Sequence, residues 1–529
     1  MSLHHHIQNS KFEYFSIIIY LLIFISLFHR LGYQPLYQEE PRRAIIALEM
    51  IYNHNFIVPT EFGEYYYKKP PVWNWMIIAG FQIFGTNEFG VRFFSVLSLL
   101  VIGILIYLAV NKYINRKTAI YSSLYFLVSA DVYFYFSMLG EIDIFYSMIT
   151  LGMFFSIFHF YEQKRFYPLY LITYLLAAIG FLTKGFPSVV FLILSLGVFL
   201  LYKRDFLKLL SIPHLLGILV FLILVGGYFL LYNRYNDAVY YLDLLWSRSS
   251  NRTVVEESMN SLLVHLVRFP LDLLKDLLPA TVLIVLMFAK GWFRKIRDNK
   301  LLEFSFFIFV VNILVYWVSP GARDRYIYML LPFPIIILSY FLTQNLESGN
   351  GKIKIINLLN AIILAFVPIA SITPMFLHEL KFINGLYIFS ISGGIIGILL
   401  LITYLSSNAS NKLLIMITGL ILVRFLYNFI ILEHRYEKSD ARTERDFAYE
   451  ILDHSGDHPV FLYQTSICSH NTIFYLEKEL ERVVSRTEDP KPDDIILAND
   501  YFEMDATKYK LIYEYEDPRF KKIRVFKTY

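Results

Sequence analysis

A chain of 529 residues with one cysteine has no intrachain disulfide, and Cys468 alone leaves the redox compartment open. Charge is scarce too. Asp, Glu, Lys and Arg make up 17% of the residues, where a soluble globular chain carries about a quarter. The net charge of +4 is small for this length and gives no support for nucleic-acid binding. No Gly-rich phosphate loop of the nucleotide-binding type is present. No internal repeat is evident, which weighs against an inverted-repeat transporter. What the chain has in excess is apolar: 56% of it is hydrophobic and 18% aromatic.

The apolar residues fall in runs long enough to cross a bilayer, which needs about 20 residues of helix. Open backbone cannot face lipid, so these runs are helices. About thirteen are expected, near 11–30, 89–110, 118–136, 141–161, 167–184, 186–202, 212–232, 277–290, 302–319, 326–343, 354–373, 386–405 and 412–432. The first is too long for a signal peptide. His4 to His6 receive no role.

Lys and Arg orient the bundle. Loops 111–117, 162–166, 203–208, 290–300, 344–354 and 406–412 carry sixteen of them, and the alternating short loops only Lys184, Arg323, Arg325 and Lys381. The first set is therefore cytoplasmic, with the amino terminus inside. Residues 1–433 form the membrane domain, with long outer loops at 31–88 and 233–276. Residues 434–529 form a polar α/β domain on the outer face, where "PVFLYQTS" and "KLIYEYE" read as strands and "HNTIFYLEKELERV" as a helix.

Polar residues in such a chain mark function, because each is costly near lipid. Five groups fall on the outer face. Glu39, Glu40, Arg42 and Arg43 open the first loop, followed by an amphipathic run expected to lie along the membrane surface. Lys68 and Lys69 sit between tyrosines and two prolines that enforce an extended segment. Glu141 and Asp143 open the fourth span, and two residues apart on a helix they should face different sides. Lys184 is held at a sharp turn, against the charge trend of the loops. Arg323 and Arg325 lie in "SPGARDRYIYM", and an arginine fork suits phosphate. For each group an anchoring or locally paired role is the alternative. Together, carboxylates and cations at one mouth suit a reaction in which one group accepts a proton and others hold a departing phosphate.

These motifs are recognisable in order. "EEPRRAIIALEM", "EFGEYYYKKPPVWNW", "GTNEFGVRFFSVL", "EIDIFYSMITLGMFF", "FLTKGFPSVV", "HLVRFPLDLLKDLLP", "RDRYIYMLLPFP" and "IFYLEKELERV" resemble landmarks of the bacterial protein-mannosyltransferase-like family of GT-C glycosyltransferases. That family includes the 4-amino-4-deoxy-L-arabinose transferases of lipid A and is related to the dolichyl-phosphate-mannose protein mannosyltransferases. The resemblance implies an all-α polytopic fold of GT-C type with a small α/β C-terminal domain. It implies a polyprenyl-phosphate-linked sugar donor and a lipid, glycan or protein acceptor. Two departures stand out: the first acid, usually Asp, is Glu39, and an acid common before the Lys-Pro lysine is replaced by Lys68. No cofactor is expected and no tightly bound metal at that position, though a divalent metal is left open.

By this resemblance the reaction is an inverting displacement at the anomeric carbon. Glu39 is the expected base, with Asp143 orienting the acceptor or sharing that role. Arg42, Tyr66, Lys69, Lys184, Arg325 and Tyr326 are the expected phosphate ligands. Glu40, Glu141, Arg252, His265 and Arg323 are candidates for acceptor contacts or a lid, and the Asn251-Arg252-Thr253 sequon is read as incidental. The expected setting is a bacterial inner membrane, with the chain monomeric. The rival readings are a polyprenyl-lipid flippase or secondary transporter, an O-antigen-ligase-like enzyme using a diphosphate-linked donor, and a non-catalytic scaffold.

Overall fold

The computed structural model describes residues 2–250, 259–287, 291–321, 323–348 and 351–529. Among the described residues, eight helices are long and apolar enough to cross a membrane, from Glu88–Tyr113 to Ala409–Glu437, and three shorter apolar helices accompany them. This is a multi-pass membrane protein. Each expected span has a helical counterpart, but several are not simple rods. The span at 118–136 breaks into Arg116–Leu127, Ala130–Phe134 and a 3-10 turn at Phe136–Met138. The span at 277–290 is represented by a 3-10 stretch, Ala280–Met287. At about 2 Å of rise per residue it falls well short of the about 30 Å hydrocarbon layer.

The first long loop is structured. Pro41 at the start of Glu40–Tyr52 pre-sets the helical backbone angle, and Glu40 suits the positive helix end. Ten of the thirteen residues in this helix are buried. The expectation of a surface-lying amphipathic helix is thereby corrected: its apolar side packs on Val72–Phe84, and another side meets the C-terminal domain. A two-residue turn at Phe62 and Gly63, both at positive φ, joins the short strands Thr60–Glu61 and Glu64–Tyr65. That backbone is the hairpin turn that favours glycine. A Cβ on Gly63 would also lie 2.7 Å from Ser485 Cβ.

The C-terminal region holds a five-stranded mixed sheet in the order Arg486–Thr487, Val460–Tyr463, Ile495–Asn499, Lys521–Thr528, Tyr509–Asp517. The first three run parallel and the last two pair antiparallel. The helix His470–Leu480 joins it to the first loop: Asn471 donates to the Leu36 carbonyl at 2.9 Å, and Tyr52 donates to the Glu477 carbonyl at 3.1 Å. One apolar cluster runs through both, from Leu36, Ile45 and Leu48 to Ile473, Leu476 and Val484. The C-terminal region therefore braces the loop that carries Glu39 and Arg42.

Candidate active site

A cavity of about 760 Å³ opens where the first loop, the start of Ile142–Glu162, the end of Phe166–Lys184 and the segment around Arg325 meet. Its lining includes charged groups, among them Glu39, Arg42, Arg43, Lys69, Asp143 and Lys184, and apolar ones, among them Val190, Phe191, Leu245, Trp246 and Val315.

The charge cluster centres on Asp143, whose Oδ1 lies 2.6 Å from the Lys184 ammonium, both side chains being almost fully buried. Lys184 is the last residue of its helix, and Gly185 at φ +85° turns the chain away. Its ammonium also lies over the rings of Tyr326 at 4.2 Å and Tyr146 at 4.9 Å, which adds cation–π attraction. The Arg325 guanidinium reaches both acids, at 3.3 Å from Asp143 and 3.4 Å from Glu141. These are ion-pair distances without hydrogen-bond alignment: among the described residues Arg325 Nε and Glu141 Oε1 find no hydrogen-bond partner. The expectation that Glu141 and Asp143 face apart is corrected. Glu141 precedes the helix with extended backbone angles, φ −89° and ψ 148°, so helical spacing does not govern it.

Glu39 is the most open acid here, its side chain 37% exposed, with Arg42 at 2.6 Å. Burial opposes its charge, but Arg42 and Arg43 outweigh burial and hold the carboxyl below its ordinary range. Arg43 donates to Tyr66 at 2.7 Å. Glu61, from the hairpin, accepts from Arg42 at 2.8 Å and lies 2.9 Å from His470 Nε2 and 3.5 Å from Lys68. Burial again opposes the charge, yet His470, Arg42 and Lys68 bring Glu61 down to about 2.

A family model for dolichyl-phosphate-mannose-protein mannosyltransferase matches residues 68–228. The crystal structure of ArnT from Cupriavidus metallidurans bound to undecaprenyl phosphate superposes with a TM-score of 0.69, covering 96% of this chain and 97% of that one. At 16% identity this likeness speaks for the fold alone. An undecaprenyl phosphate-alpha-4-amino-4-deoxy-L-arabinose arabinosyl transferase of Photorhabdus laumondii is 26% identical over 381 residues, 70% of this chain and 66% of the relative. The Erwinia tasmaniensis protein of the same name is 30% identical over 203 residues, 37% of this chain and 35% of the relative. The matches thus span about two thirds or less of these curated relatives' length.

The chain is similar to the dolichyl-phosphate-mannose-protein mannosyltransferases over residues 68–228 and shares its fold with ArnT.

In this chain the cavity gathers Glu39, Arg42, Tyr66, Lys69, Glu141, Asp143, Lys184, Arg323, Arg325 and Tyr326 from widely separated stretches. Two candidates lie elsewhere. Glu40 is fully buried against Arg92, at 2.8 and 2.9 Å, and also accepts from the Tyr37 and Gly140 amides. It is a structural acid, not an acceptor contact. His265 does not line the cavity; its Nε2 lies 3.1 Å from the carbonyl of Tyr316, which does. Arg252 lies outside the described residues.

Sequence reasoning missed Glu61, His470, Arg92 and Arg248. Arg248 lines the cavity from the second long loop, and only its place near Trp246 hinted at it. His470 opens a helix 409 residues after Glu61, so no spacing could have paired them. Arg92 stands in "GVRFF", four residues into a membrane helix. An intramembrane arginine is itself a signal that demands a partner.

Proposed function

We propose that this protein is an inverting glycosyltransferase that moves a sugar from a polyprenyl-phosphate donor to an acceptor on the outer face of a bacterial inner membrane. The observation that carries this reading is a cavity lined both by the buried cations Lys184 and Arg325 and by apolar side chains such as Val190, Phe191 and Trp246. A polyprenyl phosphate has the matching charged and apolar parts. The ArnT likeness and the arabinosyl transferase relatives support the reading. The loop charge bias supports an outer position for the cavity and the C-terminal domain.

In this scheme Lys184 and Arg325 bind the donor phosphate, with Lys69, Arg42 and Tyr326 around it. Asp143 holds Lys184 and Arg325 in place, since its oxygens already lie against both. The acceptor oxygen attacks the anomeric carbon as the carbon–phosphate-oxygen bond breaks. The electron pair leaves with polyprenyl phosphate, and fixed cations stabilise that charge without protonating it. Glu39 accepts the acceptor proton, because it is ionised and open to the cavity. Glu141, raised to about 7 by burial, is 2% exposed and less accessible. Glu61 and His470 fix Arg42, and through it Glu39.

Glu39→Gln keeps the shape and removes the base. The expected result is loss of transfer with the donor still bound, so mass spectrometry of lipids co-purified with this variant identifies the donor. Near-normal turnover by Glu39→Gln defeats the base assignment. Absence of any polyprenyl-phosphate sugar from both the variant and the parent protein defeats the donor reading.

A further inference from the structure

Beside the catalytic cavity lies a small second pocket, lined by His29, Arg30, Arg92, Arg424 and Arg435 and walled by Tyr37 and Tyr135. No Asp or Glu lines it among the described residues. Its volume is about 30 Å³, room for a group of a few atoms and not for a sugar ring.

Two of these cations are already neutralised. Arg92 is held by both Glu40 oxygens and by the carbonyls of Leu31, Gln34 and Pro35. Arg30 pairs with Glu433 at 2.9 Å. The other two are not. Arg424 is 1% exposed inside a membrane-crossing helix, and a buried cation there is costly without a counter-charge. It donates to the Tyr133 carbonyl and sits 5.4 Å from that ring, while among the described residues its Nε has no hydrogen-bond partner. Nδ1 of neighbouring His29 has none among them either. Arg435 donates to the Tyr427 hydroxyl at 2.6 Å and lies 5.9 Å from the Tyr37 ring, with no carboxylate partner among the described residues.

We propose that this pocket is a second anion site, distinct from the donor phosphate site, that receives a phosphate monoester of the acceptor. Two uncompensated arginines match the charge of about −1.5 to −2 on such a group, whereas a carboxylate would satisfy one. The pocket's size admits the phosphate and leaves the rest of the acceptor outside. Its position fits an acceptor: Tyr37 lies two residues before Glu39, and Gln38 between them donates to the Tyr135 hydroxyl. An acceptor anchored here reaches the proposed base. That last step rests on the transfer reading above. Binding is therefore tested apart from turnover.

The probe is a short-chain phosphatidic acid, a phosphate monoester on two acyl tails, added to the purified full chain and counted by native mass spectrometry. The matching diacylglycerol and inorganic phosphate are the other arms. Two phosphatidic acids per chain are expected, falling to one in Arg424→Gln and in Arg435→Gln, with the second lost in Lys184→Met. Inorganic phosphate retained without lipid assigns the site to the ion itself, and retention of lipid phosphate alone assigns it to a headgroup; both support an anion site. One phosphatidic acid in the parent protein, two in Arg435→Gln, or equal binding of diacylglycerol overturns it. Arg435 is partly exposed, so that variant remains informative even where Arg424→Gln fails to fold. Arginine-dependent binding without turnover keeps this site and sinks the transfer reading. Turnover with unchanged stoichiometry does the reverse.

Discussion

Two buried ion-pair clusters lie close together in this protein and differ in one respect. In the first, Arg92 and Glu40 satisfy each other completely: both carboxylate oxygens meet the guanidinium, and backbone carbonyls and amides take what remains. In the second, Asp143, Lys184, Arg325 and Glu141 are just as buried, yet among the described residues Arg325 Nε and Glu141 Oε1 are left without hydrogen bonds and the group faces a cavity. A closed cluster can only hold the fold together. An open one keeps unspent hydrogen-bonding capacity, which a phosphate can take up. Burial of charge therefore does not by itself separate structure from chemistry here; completeness of the hydrogen bonding does.

Breaking each cluster separates the two roles. Lys184→Met removes the cation 2.6 Å from Asp143, and transfer should fall about 100- to 1000-fold, the scale of one lost donor to developing anionic charge. Turnover measured on folded, purified protein is the readout. Arg92→Met strands Glu40 without a partner and should cost about 3–5 kcal/mol of stability. The yield of folded protein and its thermal midpoint should drop, while the molecules that do fold keep an ordinary donor KM. A normal yield for Arg92→Met with lost turnover would reverse the assignment of the two clusters.

Smaller changes sharpen the contrast. Arg325→Lys keeps the charge and loses the planar fork, so donor KM should rise about tenfold, about 1.4 kcal/mol, with kcat less affected. The weakest effect concerns the contact between the first loop and the C-terminal region. Burial raises Glu49 to about 7 and lifts Glu477 well above its ordinary value, each next to the other. Raised carboxyls mean the folded chain holds protons that the unfolded chain releases. This contact is then fully stable below the ordinary carboxyl value of 4.5 and weakens as pH rises toward about 7. Melting should occur at a higher temperature at pH 5.5 than at pH 8, and Glu477→Gln should flatten that dependence.

Much of this was legible in the chain itself. Apolar runs of bilayer length dictate membrane helices because lipid offers the backbone no hydrogen bonds. Lys184 stood out because it broke the charge pattern of its loops. Glu39, Lys69 and Arg325 stood out as charges against apolar neighbours, and the order of the motifs pointed to the GT-C fold. Adjacent charges could not be told apart in the same way. Glu39 and Glu40 differ by one position in sequence, and one opens to a cavity while the other is sealed against Arg92. Helical spacing separated Glu141 from Asp143, but the helix begins only after Glu141.

Composition and local pattern thus determined which segments enter the membrane and singled out charged stretches that line the cavity, because those depend on each residue's own cost near lipid. Only the tertiary structure decided which charge meets which. Arg42 with Glu61 and His470, Glu40 with Arg92, and Arg424 with no ion-pair partner among the described residues are outcomes of packing between distant segments. Spacing along the chain holds no record of such distances.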